Sequence, residues 1–224
     1  MSGLFSFEKI LDVLLSVIPA LICITIHELS HGLAALKLGD PTARERGRLT
    51  LNPIKHIDIW GLLMLSVFGF GWAKPVPVNP SYFKKPKRDM ALTALAGPVS
   101  NLVLAVIFAV LTAIVAAIPV RNYEVQTFIF RIMTRVITLS VGLAVFNMIP
   151  IPPLDGSKIL FSLLPDNAYR KLLQLERFGF IILIIILQTP LLDGTIGAAT
   201  QWITGGMIRI FTRTLELITK IFIR

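Results

Sequence analysis

Long apolar runs separated by short polar stretches dominate this chain. Five runs are long enough to cross, or nearly cross, a bilayer as helices, and a sixth run is shorter. The five lie at about 10–36, 90–118, 132–150, 176–192 and 200–218, and the short one lies at about 59–72. This pattern predicts an all-α polytopic membrane protein with about five to six transmembrane helices and a small membrane-associated β or re-entrant segment.

Basic residues on both sides of the short run predict that it enters the membrane without crossing it. Arg44, Arg46 and Arg48 precede the run, and Lys84 and Lys85 follow it. A crossing would place these two basic loops on opposite faces, whereas Lys and Arg accumulate on the cytoplasmic face. A re-entrant or half-inserted segment leaves both loops in the cytoplasm.

Composition agrees with a membrane protein, since 54% of the 224 residues are hydrophobic and the mean hydropathy is +0.76. The net charge of +9 arises from basic loops beside apolar runs, where anionic lipid explains it. A basic face interleaved with aromatic residues is typical of nucleic-acid binding, and this sequence does not have one. The expected partner is therefore the lipid bilayer. We expect one membrane domain over 1–224, with its core at about 10–165 and additional helices at about 176–218.

The most informative polar stretch is the HELSH sequence at 27–31, inside the first apolar run. His27 and His31 are four residues apart and share one helix face, so both imidazoles can bind a single metal ion. Glu28 follows the first histidine and is a candidate general base toward water. A chance match, or histidines satisfied by neighbouring helices, is the alternative. The cost of ionisable residues in a membrane favours the metal site.

Asp155 is the candidate for a third metal ligand, because a catalytic zinc site typically has three protein ligands and an open position. It follows the sequence NMIPIPPL at 147–154, whose prolines cannot continue a regular helix. An unwound, rigid segment can project a carboxylate toward a neighbouring helix. On spacing alone, Asp155 could equally cap a helix that starts at Gly156. The need for a third ligand favours the metal role.

Four further polar or small residues stand near these motifs. Asn147 could hold a substrate carbonyl or stabilise an oxyanion, or it could make an interhelical hydrogen bond. Gly97 predicts close packing against the histidine helix, with Asn101 as a hydrogen-bonding support. His56 is the rival metal ligand, and we expect it to be solvated or structural instead.

The sequence predicts extended chain over two stretches, 43–53 and 72–80. In the second, Pro75 and Pro77 lack N–H groups, so a strand there could pair well on only one edge. It is either a strand that borders the entrance of an active site or an ordinary proline-rich connector. We hypothesise that the strand around Val76–Val78 pairs with an extended substrate.

Together, the HExxH motif, Gly97-Pro98-x-x-Asn101 and Asn147 followed by prolines and Leu154-Asp155-Gly156 resemble the site-2 protease family of intramembrane zinc metalloproteases. The resemblance extends over about 10–190, and 71–80 looks like the small prokaryotic branch that lacks PDZ and CBS domains.

The resemblance implies a function for each motif. His27, His31 and Asp155 are expected to bind one Zn²⁺ ion, Glu28 to be the catalytic base or acid, and Asn147 to bind substrate. The implied activity is cleavage of a peptide bond in or near the transmembrane segment of a substrate protein, or in a remnant signal peptide, in regulated intramembrane proteolysis. The implied location is the cell membrane, with the active site toward the cytoplasm.

Three other classes of protein remain open on the sequence. A membrane transporter also buries ionisable residues at broken helices, but it predicts paired repeats, which the sequence lacks. A non-peptidase zinc membrane enzyme would carry the same candidate ligands. A metal-dependent scaffold without catalytic activity would carry them as well.

Overall fold

The computed structural model describes residues 7–68, 71–117, 122–187 and 193–222, and most of them are helical. The α-helices are α1 (Phe7–Lys37), α2 (Thr42–Glu45), α3 (Ile59–Phe68), α4 (Pro86–Ala117), α5 (Tyr123–Asn147), α6 (Asp155–Ser162), α7 (Asp166–Leu187) and α8 (Asp193–Phe222). Two short 3-10 helices, Pro53–His56 and Pro80–Tyr82, lie in the connections.

Three of the helices are long and apolar enough to cross a membrane. These candidate spans are Leu15–Lys37, Pro86–Ala116 and Tyr123–Asn147. They confirm a polytopic all-α membrane protein and match the predicted runs at about 10–36, 90–118 and 132–150. The helix α8 covers the run at about 200–218, and α7 covers 176–187 of the run at about 176–192, whose last residues lie outside the described ranges. A total of about five to six spans stays a prediction.

The helix α5 begins earlier than its apolar run. Asn122 caps it, since the side-chain oxygen accepts hydrogen bonds from the N–H groups of Glu124 and Val125 at 3.0 and 3.2 Å. The cap binds two N–H groups that have no partner inside the first turn of the helix. The helix can therefore begin in polar residues before the apolar run.

The helix α3 has the length expected of a half-inserted segment. Its 10 residues extend over about 15 Å, which is half of a hydrocarbon core of about 30 Å. The topology inferred from the basic loops stays a prediction.

The β part of the prediction is wrong for the residues that the structure describes. The stretch 72–79 is extended, but its sheet contact is limited to an isolated antiparallel bridge between Ile57 and Ala73. Pro75 and Pro77 remove the donors that a continuous ladder needs. The other stretch, 43–53, overlaps α2, because the Asp40 carboxylate accepts the N–H of Thr42 at 2.9 Å and starts a helical turn.

The helix α4 lies at the centre of the fold, packed against α1, α5, α6 and α8. Ala105 and Ala109 of α4 form a buried cluster with Ile137 and Val141 of α5. Small side chains let membrane helices approach closely, so this face can bring α4 and α5 together. Cys23 of α1 is fully buried beside this core, in a cluster with Leu104 and Val136.

The end of α1 is tied to the extended stretch 72–79. Gly39 adopts a left-handed conformation with φ of 110°, which reverses the chain, and the N–H of Asp40 then bonds the Ala35 carbonyl at 2.9 Å. The buried Asp40 carboxylate accepts the N–H of Asn79 at 2.7 Å. The extended stretch is thereby fixed beside the helix that carries HExxH.

Candidate metal centre

His27, His31 and Asp155 bring three ligand atoms together between α1 and α6. The Nε2 atoms of His27 and His31 are 3.0 Å apart. Oδ2 of Asp155 lies 3.1 Å from the first nitrogen and 3.2 Å from the second. These atoms form a nearly equilateral triangle, and they are the metal-ligand cluster of the described part of the chain.

The triangle fits a zinc ion. Zinc bonds to histidine nitrogen and carboxylate oxygen of about 2.0–2.1 Å in a tetrahedral site place the ligand atoms about 3.3 Å from one another. The observed separations are close to this value. Among the described residues, buried Oδ2 of Asp155 has no hydrogen-bond partner of good geometry. An acceptor oxygen that faces two nitrogen atoms in a buried site is a donor set for a cation.

The electrostatics of Asp155 favour its ligating form. Burial raises the pKa of its carboxyl, but the two imidazoles lower the pKa by more, so the pKa lies well below its ordinary value. The carboxylate form therefore faces the two histidines, and only this form of the side chain binds a metal.

The residues directly before and after Asp155 determine where its side chain lies. It is the first residue of α6, after Leu154 at the N-cap position, so the alternative that Asp155 caps a helix starting at Gly156 is wrong. A Cβ on Gly156 would lie 2.3 Å from the Met148 carbonyl oxygen. Glycine is therefore needed where α6 begins against the end of α5.

Each imidazole is oriented through its second nitrogen. Nδ1 of His31 lies 2.8 Å from the Thr93 carbonyl oxygen, so this nitrogen carries the proton and Nε2 is free to bind metal. Nδ1 of His27 lies 3.1 Å from the side-chain amide of fully buried Asn101. The predicted supporting role of Asn101 is confirmed. The contact atom of Asn101 is the amide nitrogen Nδ2, and its Oδ1 is buried without a partner among the described residues. Metal binding through Nε2 of His27 leaves the proton on Nδ1, so the amide must then be turned to present Oδ1 to this proton.

Gly97 lets α4 pass directly beside the two imidazoles. A Cβ at this position would lie 2.5 Å from Nε2 of His31 and 2.6 Å from Cε1 of His27. The predicted close approach of α4 to the histidine helix is therefore confirmed, and any side chain larger than hydrogen would enter the metal site.

We expect Gly97→Ala to weaken zinc binding by about 10–100-fold or more, an effect typical of a disturbed ligand orientation. The added methyl group would force both imidazoles out of the triangle. Zinc titration of the purified apo protein measures the effect. Gly142→Ala is the matched control, because its Cβ would lie 3.8 Å from the Thr200 side chain, an ordinary contact. Equal zinc affinity in the two variants would contradict the assignment.

Glu28 is half-buried and is held by the backbone of the extended stretch. Its Oε2 accepts the N–H of Val76 at 2.8 Å. This bond fixes the carboxylate through one oxygen, one residue from His27.

The triangle opens into a cavity of about 160 Å³. Six of the residues that line it are His27, Glu28, His31, Val76, Asn147 and Asp155. Asn147 donates a hydrogen bond to the Leu143 carbonyl of its own helix at 3.0 Å, so the interhelical alternative is not what the structure shows. The five residues for which the resemblance implies metal binding, catalysis or substrate binding thus all line one cavity.

His56 stands apart from this cluster. It is buried in the 3-10 helix Pro53–His56, and its Nε2 bonds the Thr50 carbonyl at 2.9 Å. The expectation of a structural histidine is confirmed, and the expectation of a solvated one is wrong.

Two contacts of the site escaped the sequence analysis. The Thr93 carbonyl that orients His31 is a main-chain atom, and main-chain acceptors leave no signal in residue identity. The bond between Val76 and Glu28 joins residues that lie far apart in the sequence. The two prolines around Val76 were a partial signal, because they single out its N–H as a usable donor.

Comparison with known proteins gives a consistent set of similarities. The model of peptidase family M50 matches residues 114–188, a range that includes Asn147 and Asp155. The Bacillus subtilis protein named "Putative zinc metalloprotease YwhC" is 43% identical over 78% of this chain and 80% of its own length. The Mycolicibacterium smegmatis protein named "Putative zinc metalloprotease Rip2" is 30% identical over 81% of this chain and 70% of its own length. The Rip2 protein of Mycobacterium tuberculosis is 28% identical over 82% of this chain and 70% of its own length. No solved structure is a significant match.

Proposed function

Because the chain belongs to peptidase family M50, the site-2 proteases, we propose that it cleaves a peptide bond in or near the transmembrane segment of a membrane-protein substrate. The protein is a zinc metalloprotease with apolar helices that can cross a membrane. One observation carries the step from protease to intramembrane protease. His27 and His31 lie within the candidate span Leu15–Lys37, which supports a metal-ligand cluster at membrane depth.

In this proposal, His27, His31 and Asp155 hold one Zn²⁺ ion per chain, with Thr93 and Asn101 fixing the two imidazoles. When bound, zinc supplies a Lewis acid that activates water and polarises the scissile carbonyl. The donor set supports this assignment, since two neutral imidazoles and one carboxylate are typical ligands of catalytic zinc.

Glu28 transfers the proton in the proposed reaction. As the water oxygen forms a bond to the carbonyl carbon, the carboxylate accepts a proton from that water. When the C–N bond breaks, Glu28 gives the proton to the amine that leaves. The hydrogen bond from Val76 supports this role, because it fixes one carboxylate oxygen and leaves the other to exchange the proton.

Asn147 binds the substrate in this scheme. One N–H of its amide is used by the Leu143 carbonyl, and an amide has a second N–H to donate. Since Asn147 lines the cavity beside Asp155, that donor is available to a substrate carbonyl or to the oxyanion of the transition state.

The substrate must be extended at the cavity, because a helix hides its peptide carbonyls in its own hydrogen bonds. Val78 lines the cavity, and its N–H makes no hydrogen bond with any residue in the described ranges. We therefore assign the pairing with extended substrate to Val78. Val76 cannot serve in the same way, because its N–H already binds Glu28.

We expect Val78→Pro to lower cleavage by about threefold to tenfold through a higher KM, since one backbone hydrogen bond contributes about 0.5–1.5 kcal/mol. Zinc content should not change. Val78→Ala is the matched control, because it shortens the side chain but keeps the N–H. Steady-state cleavage of a labelled transmembrane peptide measures both variants. If Val78→Pro cleaves as well as Val78→Ala, the pairing assignment is wrong.

Membership in a peptidase family favours peptide cleavage over the transporter, the non-peptidase enzyme and the scaffold. We propose the cell membrane as the location, with the active site toward the cytoplasm, since basic loops flank the short apolar run that we predict to be half-inserted. The proposed substrates are membrane-anchored proteins or remnant signal peptides, cut in regulated intramembrane proteolysis.

Reconstitution tests this function. The protein is placed in liposomes with a model substrate that has one transmembrane segment, and the products are mapped by mass spectrometry. Removal of zinc with a chelator should stop cleavage, and added zinc should restore it.

A further inference from the structure

We propose that Arg48 is a positioning residue of this protease, which holds the stretch 72–79 where the backbone of Val76 binds Glu28. Arg48 does not line the cavity and acts through the main chain of Lys74. The inference rests on the proposed catalytic role of Glu28.

Arg48 fixes one end of the stretch. Its side chain is buried, and Nη2 donates a hydrogen bond to the Lys74 carbonyl at 2.7 Å. The N–H of Lys74 in turn donates to the His56 carbonyl at 2.9 Å. Both main-chain groups of Lys74 are therefore bound by the segment 48–56, although the Lys74 side chain itself is exposed.

The contact between Val76 and Glu28 lies between two anchors. Upstream is the bond of Arg48 to Lys74, and downstream the N–H of Asn79 bonds the Asp40 carboxylate at 2.7 Å. Pro75 and Pro77 offer no N–H and restrict φ. Loss of the upstream anchor would therefore free the part of the chain that orients the base.

The charge of Arg48 also bears on the site. Burial lowers the pKa of the guanidinium, and the negative charge of Glu28 acts in the opposite direction. Nε of Arg48 is buried and has no hydrogen-bond partner in the described ranges. A buried guanidinium with an unused donor costs stability that a neutral anchor would avoid. A cation that binds the Lys74 carbonyl and feels the charge of Glu28 gives that cost a functional reason.

Hydrogen exchange of the zinc-loaded protein tests the anchor without an activity assay. Prolines 75, 77 and 80 lack amides, so a peptide that covers 73–80 reports on few sites. We expect Arg48→Met to accelerate exchange at Val76 by about threefold to tenfold, the effect of one lost hydrogen bond. Arg46→Met is the matched control, because Arg46 is exposed in the same loop. Equal exchange in the two variants would overturn the inference.

Catalysis provides the second readout. Arg48→Met should lower kcat about tenfold with zinc content unchanged, and KM should change less than kcat, because Asp40 still holds Asn79 beside Val78. Arg48→Lys, which keeps a charge and a donor, should restore part of kcat. Arg48→Gln repeats both measurements, so the test does not depend on the folding of one variant. A change in KM alone would contradict a positioning role.

The roles of Glu28 and Arg48 can be tested separately. If Glu28→Gln still cleaves, the proposed function of the site is wrong. If Glu28→Gln is inactive but Arg48→Met and Arg48→Gln behave like Arg46→Met in exchange and in kcat, the inference on Arg48 alone is wrong.

Discussion

Replacement of Glu28 by Gln is expected to lower the rate of peptide cleavage by about 10²–10⁴-fold, the usual contribution of a general base. The amide has nearly the same shape as the carboxylate, and its oxygen can still accept the N–H of Val76. It cannot accept a proton from water at neutral pH. Zinc content should therefore remain that of the wild type while turnover is lost.

Cleavage of a labelled transmembrane peptide, with zinc measured on the same samples, tests this expectation. Glu45→Gln is the matched control, since Glu45 is exposed in α2. A Glu28→Gln variant that keeps both zinc and full turnover would remove Glu28 from the mechanism. Loss of zinc together with turnover would instead give it a structural role.

Asp155→Ala is expected to reduce zinc from about one ion per chain to near zero, because the site would keep only two of the three protein ligands that catalytic zinc uses. The decrease in affinity should exceed the roughly 10–100-fold that loss of a supporting hydrogen bond causes. Two neutral imidazoles with Nε2 atoms 3.0 Å apart would remain, without the carboxylate that offsets the positive charge of the ion. Elemental analysis of detergent-purified protein measures the zinc content.

Two variants control for effects on folding and for the rival ligand. Asp166→Ala removes an exposed aspartate that opens α7, as Asp155 opens α6, and should leave zinc in place. His56→Ala should also leave zinc in place, because His56 bonds Thr50 away from the cluster. If zinc is lost with His56→Ala and kept with Asp155→Ala, the ligand set is wrong.

The sequence predicted which residues come together at the site, because short-range rules govern much of their placement. Helical spacing alone places His27 and His31 on one face. The proline-rich run before Asp155 signals a carboxylate projected from an unwound segment. Gly97 signals close helix contact. Each of these inferences needs only the residues of a single segment.

The rest of the site depends on contacts between distant segments. Val76 binds Glu28 through its main-chain N–H. The local sequence around either residue does not predict this contact. The predicted strand fails because pairing requires a second segment with free donors, and the described chain provides only the bridge at Ile57 and Ala73. Part of 43–53 is helical instead of extended, and the Asp40 carboxylate binds the N–H of Thr42 at the start of this helix. Secondary-structure propensities of single residues do not include such a side-chain contact.

The position of the cut in a membrane-embedded substrate tests the central claim most directly. The measurement uses liposomes that hold the protein and a substrate with one transmembrane segment, and mass spectrometry maps the products. Intramembrane proteolysis predicts a cut in or near the transmembrane segment, which depends on zinc and is lost in Glu28→Gln. Cleavage confined to soluble parts of the substrate, or equal cleavage by wild type and Glu28→Gln, would contradict the account.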